Sequence, residues 1–390
     1  MSLISSQQDF SLLAALFAVA VFALWAEKQA WGKLLTGAVW AILMGVVLSN
    51  LNIIPHKAPV YSVVFSYIVP MLLPLFLMQA NIKRILSESG RVGLAFILAC
   101  AGTVTGVVVA SLLFDLGNNE SVLAGMFTAT YTGGSANFAA VMQSTGFNDL
   151  NLISAATAVD NLLGVSFLML ITLLPASHYV MQHFYERDHA YKTDDVAPEK
   201  QTITAYSLAA ALTYTFAVVA LADGVVYLLN KAGTNFDFGL LRYLFITLLS
   251  VIAASAFPQQ MKKLAGGQEI GLMLALVFFA TISAGANISI LLSNAPILLL
   301  FVLVILLSHG AMVFGGGFLL NTLFHRMGRD KLQLSLPELI IASNAAILGA
   351  TTAPALAMAR GWQSLITPGI LVGVAGYIIG TPLGLLIASW

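Results

Sequence analysis

The feature that most constrains this chain is that it repeats itself, at low similarity, inside apolar segments. Gln79-Ala80-Asn81-Ile82, followed by Ile85-Leu86-Ser87 and Gly90, returns 206 positions later as Gly285-Ala286-Asn287-Ile288, followed by Leu291-Leu292-Ser293 and Pro296. Tyr131-Thr132-Gly133-Gly134-Ser135-Ala136-Asn137 aligns, 215 positions on, with Ala346-Ile347-Leu348-Gly349-Ala350-Thr351-Thr352. Two halves with small and polar residues at matching places in hydrophobic segments must each fold as a unit, and such segments mark the binding region of secondary transporters.

Composition says where the segments reside. With 59% hydrophobic residues, 9% charged residues and a mean hydropathy of +0.91, the chain departs from soluble domains, which carry about 25% charged residues. It reads as a polytopic membrane protein whose surroundings are a lipid bilayer. Seventeen acidic and 17 basic residues balance, so no field recruits nucleic acid, and none is expected as a partner. Cys100 is the single cysteine, which excludes a disulfide framework and a thiolate metal site. Met1 to Asp9 hold no Lys or Arg ahead of the apolar run from Phe10, so the first helix is expected to be retained rather than cleaved.

A helix needs roughly 20 apolar residues to cross the hydrocarbon layer. Segments of that order begin near residues 10, 33, 60, 92, 121 and 150, and again near 204, 238, 269, 296, 337 and 363. The expected fold is therefore all-α, with about 10 to 12 transmembrane helices in two structural repeats. Ser177 to Gln201 contains Glu186, Arg187, Asp188, Lys192, Asp194, Asp195, Glu199 and Lys200; a stretch so charged belongs at the surface. The organisation read from this is a first repeat over 1–174, a polar linker over 175–203 and a second repeat over 204–390.

Charge and count disagree about orientation. Basic residues follow segments one and three as Lys28, Lys33, Lys83, Arg84 and Arg91, and follow segments eight and ten as Lys262, Lys263, Arg326, Arg329 and Lys331. By the positive-inside rule equivalent loops then lie on opposite sides, an inverted repeat. Six full spans per half would give a parallel one. Either one segment is misread or a charge cluster breaks the rule; two loops in each half carry the reversal, and inversion is preferred.

Segment five contains Thr128, Thr130, Thr132, Gly133, Gly134, Ser135 and Asn137, and segment eleven Ser343, Asn344, Gly349, Thr351, Thr352 and Pro354. Such runs of weak helix formers and backbone-competing side chains predict a broken helix in each half, with free carbonyls near Ala350 because Pro354 supplies no N–H. Unwound backbone at bilayer depth belongs where protein or a wet cavity surrounds it, and half-helix ends there attract an anion and a cation. Close helix packing is the other explanation for small residues. Asp160, beside Asn161, lies near the middle of segment six, where a carboxylate usually marks an ion or proton path; the equivalent Gly373-Val374-Ala375-Gly376 has no acid. Gln79 with Asn81, and Ser283 with Asn287, occupy matching segment ends as cavity walls or helix caps. Pro70 and Pro74 bend segment three. His309 reads as a satisfied core histidine, Asp223 and Arg242 as a structural pair, Glu338 as an acid at a helix N-terminus, and Arg360 as a snorkelling side chain.

These residues carry a resemblance. Two repeats, a Thr/Gly/Ser/Asn-rich broken helix in each and an Asp-Asn pair in the helix that follows resemble the superfamily of bile-acid sodium symporters and sodium/proton antiporters. More narrowly, Tyr131-Thr132-Gly133-Gly134-Ser135-Ala136-Asn137 resembles the membrane family called domain of unknown function 819, over nearly the whole chain. The resemblance implies a scaffold or dimerisation domain, about 10–50 and 204–257, and hence a homodimer. It implies a moving core, about 60–174 and 269–388, in which the broken helices cross at the substrate site. Asp160 and Asn161 stand where antiporters carry an Asp-Asp or Asn-Asp pair for sodium or protons. Segment twelve has no buried Lys or Arg to match the basic partner of some antiporters.

The function expected is a sodium- or proton-coupled symporter for a small organic solute, anions included, located in a bacterial cytoplasmic (inner) membrane. Asp160 serves as sodium ligand or proton carrier; Asn161, Ser135, Asn137, Thr351 and Thr352 supply neutral oxygens. Gly133, Gly134 and Gly349 admit the solute to the backbone, and Thr132 and Asn344 line the same site. The alternative is a sodium/proton antiporter with no organic substrate. An intramembrane hydrolase built on Ser135 and His309 would need the two within hydrogen-bond reach. Neither a paired-aspartate nor a His-Glu metal signature appears. No enzyme is expected, and no cofactor beyond a sodium ion.

Overall fold

The computed structural model describes residues 2–30, 32, 37–78, 80–189, 202–232, 238–285, 288–350 and 352–390. Gln79, Asn287 and Thr351, together with residues 190–201 of the polar linker, lie outside the described residues. Fifteen helices carry the architecture. In the first half they are α1 (Asp9–Ala26), α2 (Gly37–Asn50), α3 (Pro59–Leu77), the short α4 (Ile82–Glu88), α5 (Gly90–Leu113), α6 (Glu120–Gly133), α7 (Ser135–Ser144) and α8 (Leu150–Leu173). The second half has α9 (Ala205–Lys231), α10 (Arg242–Ala256), α11 (Gly267–Ala284) and α12, which runs from Ile288–Gly310 through a π-turn into Gly316–Arg326. It closes with α13 (Leu336–Leu348), α14 (Thr352–Ala359) and α15 (Ile366–Ala388). Among the described residues, eight helices are long and apolar enough to cross a membrane; α2 and α10 are shorter apolar helices of 14 and 15 residues.

Local chemistry sets the ends. Asp149 accepts hydrogen bonds from the N–H groups of Asn151 and Leu152 and starts α8, and Thr204 with Ser207, and Ser335 with Glu338, form capping boxes on α9 and α13. Within α3 the backbone widens to a π-turn over Val64–Ile68. Pro70 follows directly; its ring lacks an N–H and crowds the carbonyl four residues earlier, that of Ser66, so the regular ladder cannot close there.

Close contacts fix direction. α11 runs antiparallel to α3, with Gly267 against Met78 and Gly271 against Leu75 and Phe76, and Gly285 beyond its end meets Leu150 at the start of α8. α5 runs antiparallel to α12, with Gly102 on the His309 backbone and Gly106 on Ile305. Equivalent helices of the two halves thus point oppositely.

The broken segments do not cross. Along α15, Gly384 lies between Gly125 of α6 and Val141 of α7, and Gly380 between Ala129 and Asn137. The chain descends beside α15 to Gly134 and returns to the end it left. The second segment does the same from the other end: Gly369 is flanked by Ile341 of α13 and Ala353 of α14, with Ala350 deeper, on Gly373. The expectation of crossing helices is corrected to two re-entrant hairpins, and twelve spans become ten crossings. Five crossings per half is an odd number, so the halves are inverted, and the conflict between charge and count disappears. Pro354 also has a different part from the one expected. It sits in the first turn of α14, where a missing N–H forfeits no helical bond, so Gly349 makes the break.

His189 pins the feet of the second hairpin. Its Nε2 lies 2.8 Å from Ser335 Oγ and its Nδ1 3.0 Å from Ser364 Oγ. Beside it the buried Glu338 receives Arg91 and Arg187, each at 2.8 Å, and also caps Ser335 N–H at 2.9 Å. At this end stand Lys28, Lys83, Arg84, Arg91, Arg187, Lys262, Lys263, Arg326, Arg329, Lys331 and Arg360; among the described residues the opposite end has only Lys57, Lys231 and Arg242.

Two outcomes follow. In a Cys100→Ser background, single cysteines at Asn118 and Asn148 should label from one side of the membrane and those at Lys331 and Gln363 from the other; opposite-side labelling within either pair would dismiss the hairpins. Burial holds His189 below its ordinary value of 6.5, so on acidification the unfolded chain takes up the proton first. The clasp's contribution is complete above about pH 6.5 and fades as pH falls towards the folded-state value. Melting temperature in detergent should therefore drop from about pH 7 to about pH 5, less steeply for His189→Gln; equal slopes would exclude the clasp as the cause.

Candidate functional site

The two hairpins meet at their breaks. Gly134 (φ 84°, ψ 177°) and Gly349 (φ 85°, ψ −168°) share one backbone conformation, a region essentially confined to glycine. A methyl placed on Gly134 would lie 3.6 Å from Gly349 Cα. At the junction each returning helix, α7 from Ser135 and α14 from Thr352, presents its N-terminus, where backbone N–H groups lack helical partners and the dipole is positive. The entering helices α6 and α13 end there, where the last carbonyls lack regular helical partners and the dipole is negative.

Asn137 fixes the first tip to α15. Its Nδ2 donates to the Tyr377 carbonyl at 2.9 Å and to Thr381 Oγ1 at 3.0 Å, while its Oδ1 is buried without a partner. Thr132 Oγ1, five residues earlier, is likewise buried and unpartnered. A methyl on Gly133 would lie 2.1 Å from the Gly376 carbonyl oxygen, so hairpin and helix pack backbone to backbone. At the second tip Thr352 Oγ1 donates to Asn344 Oδ1 at 2.6 Å. Tyr377 bridges the two: its hydroxyl abuts Gly349 and bonds the Ala350 backbone, and its ring stacks on Phe76 with centroids 5.3 Å apart.

Asp160 of α8, 6% exposed, stands beside this junction. Thr130 Oγ1 donates to its Oδ2 at 3.2 Å, and the Tyr131 hydroxyl reaches its backbone carbonyl at 3.4 Å. One turn along α8, Gly164 approaches Tyr131 of the first hairpin and Ile347 and Leu348 of the second. Asn161 turns its amide to the Thr157 carbonyl of its own helix at 2.9 Å. The Asp160 carboxylate, bonded by Thr130, and the unpartnered Thr132 and Asn137 oxygens are hard oxygen atoms, each of a kind suited to a proton or an alkali cation and not to a soft metal.

His309 is a core histidine with a particular task. Thr103 Oγ1 donates to the Tyr131 carbonyl at 3.0 Å and meets His309 Nδ1 at 3.0 Å, and His309 Nε2 meets Ser343 Oγ at 2.9 Å. One neutral tautomer, with the proton on Nδ1, satisfies all three contacts. The link joins α5 and α12 to the entering legs of both hairpins. It also leaves His309 no nitrogen for Ser135, so that pairing is not formed.

The remaining expected residues lie elsewhere. Asn81 accepts from Arg84 N–H and caps α4 at the basic end. Ser283 bonds the Phe279 carbonyl of its own helix and packs where α2 crosses α11 at Gly45. Neither forms a wall of the hairpin junction. Asp223 and Arg242 pair through two hydrogen bonds, and Arg360 reaches the Thr172 carbonyl. Thr130 and Tyr131, expected only as parts of the broken segment, belong to the junction, and so do Tyr377 and Thr381, which were not expected there. The signal for the last two was the glycine spacing 369, 373, 376, 380 and 384, which lines one face of α15 for close backbone approach and sets its interspersed polar residues beside that face.

Ten apolar crossings around a buried, polar hairpin junction define an integral membrane protein with an internal site. The chain belongs to the family described as Protein of unknown function (DUF819), whose model matches residues 14–390. It is similar to the Uncharacterized membrane protein YjcL of Bacillus subtilis (strain 168), at 31% identity over 406 residues that cover 100% of this chain and 98% of that relative.

Alanine at either break forces a disfavoured backbone, costing about 1–3 kcal/mol. Gly134→Ala has room for the methyl, whereas Gly349→Ala also brings it to 2.9 Å from the Tyr377 hydroxyl. Thermal unfolding in detergent should rank wild type above Gly134→Ala above Gly349→Ala; unchanged stability in both would remove the breaks from the described geometry.

Proposed function

We propose that this protein is a secondary transporter for a small organic solute, anionic in class, coupled to sodium or protons. The observation that carries the reading is the tip-to-tip meeting of two hairpins entering from opposite ends, beside the buried Asp160. Two helix N-termini at one point favour a bound carboxylate or similar group. Asp160, Thr130, Thr132 and Asn137 supply oxygens for the coupling cation, and Asn344 and Thr352 line the solute's other side. Inverted halves give such a site equivalent routes to either membrane face, the basis of alternating access.

Packing supports a division into two helix groups. α1, α2, α3, α9, α10 and α11 contact one another more extensively than they contact α5, the hairpins, α8, α12 and α15. We assign the first group as the scaffold, α3 and α11 included, and the second as the moving core. The homodimer implied by the resemblance to bile-acid symporters and sodium/proton antiporters would be built on the scaffold. The basic end faces the cytoplasm under the positive-inside rule, in a bacterial cytoplasmic membrane.

Asp160→Asn tests the assignment. A ligand that binds only the folded state raises stability, by about 2.7 kcal/mol at a hundredfold excess over Kd. Sodium should raise the melting temperature relative to choline at matched ionic strength, or a pH gradient should drive flux in proteoliposomes, and either effect should vanish in the variant. Retention by a folded Asp160→Asn protein of whichever effect the wild type shows would overturn the ion site. Coupled sodium and proton exchange with no organic cargo would establish the antiporter instead.

A further inference from the structure

One cavity among the described residues lies away from the hairpin junction. It occupies about 420 Å³ near the opposite, weakly basic end, between the start of α3, the returning leg α7 and the start of α8. Small-molecule sites are typically of this volume, mostly apolar, with a few convergent polar groups. Tyr61, Phe65 and Phe147 supply aromatic surface, and Lys57, Ser62, Ser66, Gln143 and Asn148 supply the polar groups.

Those polar groups are open to a ligand: Ser62, Ser66 and Asn148 are exposed and Gln143 is half-buried. Hydroxyls on the helices of this protein generally bond the carbonyl four residues back, as Thr128, Thr157, Thr215, Thr247, Ser250 and Thr281 do. Among the described residues, Ser62, Ser66, Gln143 and Asn148 make no side-chain hydrogen bond to the protein. The wall that holds Phe65 and Ser66 is the π-turn of α3, a distortion frequent at functional sites. Pro70 leaves the Ser66 carbonyl without its regular helical partner as well. Lys57 is the one charged residue lining the cavity; the adjacent Asp149 carboxylate is engaged in capping α8.

We propose that this cavity is a binding site for an aromatic carboxylate, separate from the hairpin junction. The ring packs against Phe65 and Phe147, the carboxylate takes hydrogen bonds from Ser66, Asn148 and Gln143, and Lys57 supplies the complementary charge. Because α7 forms one wall, an occupant touches the first hairpin and leaves the clasped second one free.

The test uses benzoate and its uncharged isostere benzamide on the full-length protein. In a Cys100→Ser background, Ser66→Cys, and independently Asn148→Cys should Ser66→Cys fail to fold, is labelled with a maleimide under each compound. Benzoate at twice its Kd or more should slow labelling about threefold or more; benzamide should not, and Lys57→Gln should abolish the protection. Asp160→Asn should keep it, which separates this site from the ion site and from the transport reading. Equal labelling rates with and without benzoate, equal protection by benzamide, or loss of protection in Asp160→Asn would each overturn the proposal.

Discussion

A peptide chain that breaks its helix at bilayer depth frees N–H and C=O groups that lipid cannot satisfy. Gly134 and Gly349 make two such breaks, and much of the molecule can be understood as their shelter. The glycine face of α15 lets both hairpins lie against one helix without intervening side chains. The α5–α12 seam closes the far side, and the Thr103–His309–Ser343 link ties that seam to both entering legs. Each of these devices excludes lipid from the junction, which is what allows polar atoms such as Asn137 Oδ1 to persist there.

The halves share a backbone plan and divide the chemistry. The first hairpin is fixed at its tip, through Asn137 on Tyr377 and Thr381. The second is fixed at its feet, through His189 on Ser335 and Ser364 and through Glu338 between two arginines. The acid stands only on α8. Its counterpart α15 is in backbone contact with a hairpin along much of its length and has no room for a carboxylate, so an asymmetric site follows from packing in a pseudo-symmetric frame.

Much of this was legible in the residues. Apolar length placed the helices within a few positions, and the 215-residue offset carried Gly134 onto Gly349, the two breaks. Charge bias gave the inversion correctly, while segment counting opposed it, because a re-entrant hairpin and a crossing helix have the same length and polarity. Pro354 misled for a local reason: a proline signals a kink inside a helix but is at home in a first turn. Asn81 and Ser283 illustrate the remaining ambiguity, since an amide or hydroxyl near a segment end serves as a cap or a packing group as readily as a ligand. Tyr377 and Thr381 needed three-dimensional partners to acquire meaning.

The odd number of crossings per half has an ancestral consequence. A unit of five crossings and one hairpin leaves its two termini on opposite faces, so two copies fused by a surface linker insert in opposite senses. The unfused unit could form this arrangement only by entering the membrane in both directions and pairing head to tail with itself. Covalent fusion removes that need for dual insertion, provided that each half acquires its own orientation signal. Lys83, Arg84 and Arg91 in one half, and Arg326, Arg329 and Lys331 in the other, are that signal, written into non-equivalent loops that converge on one face.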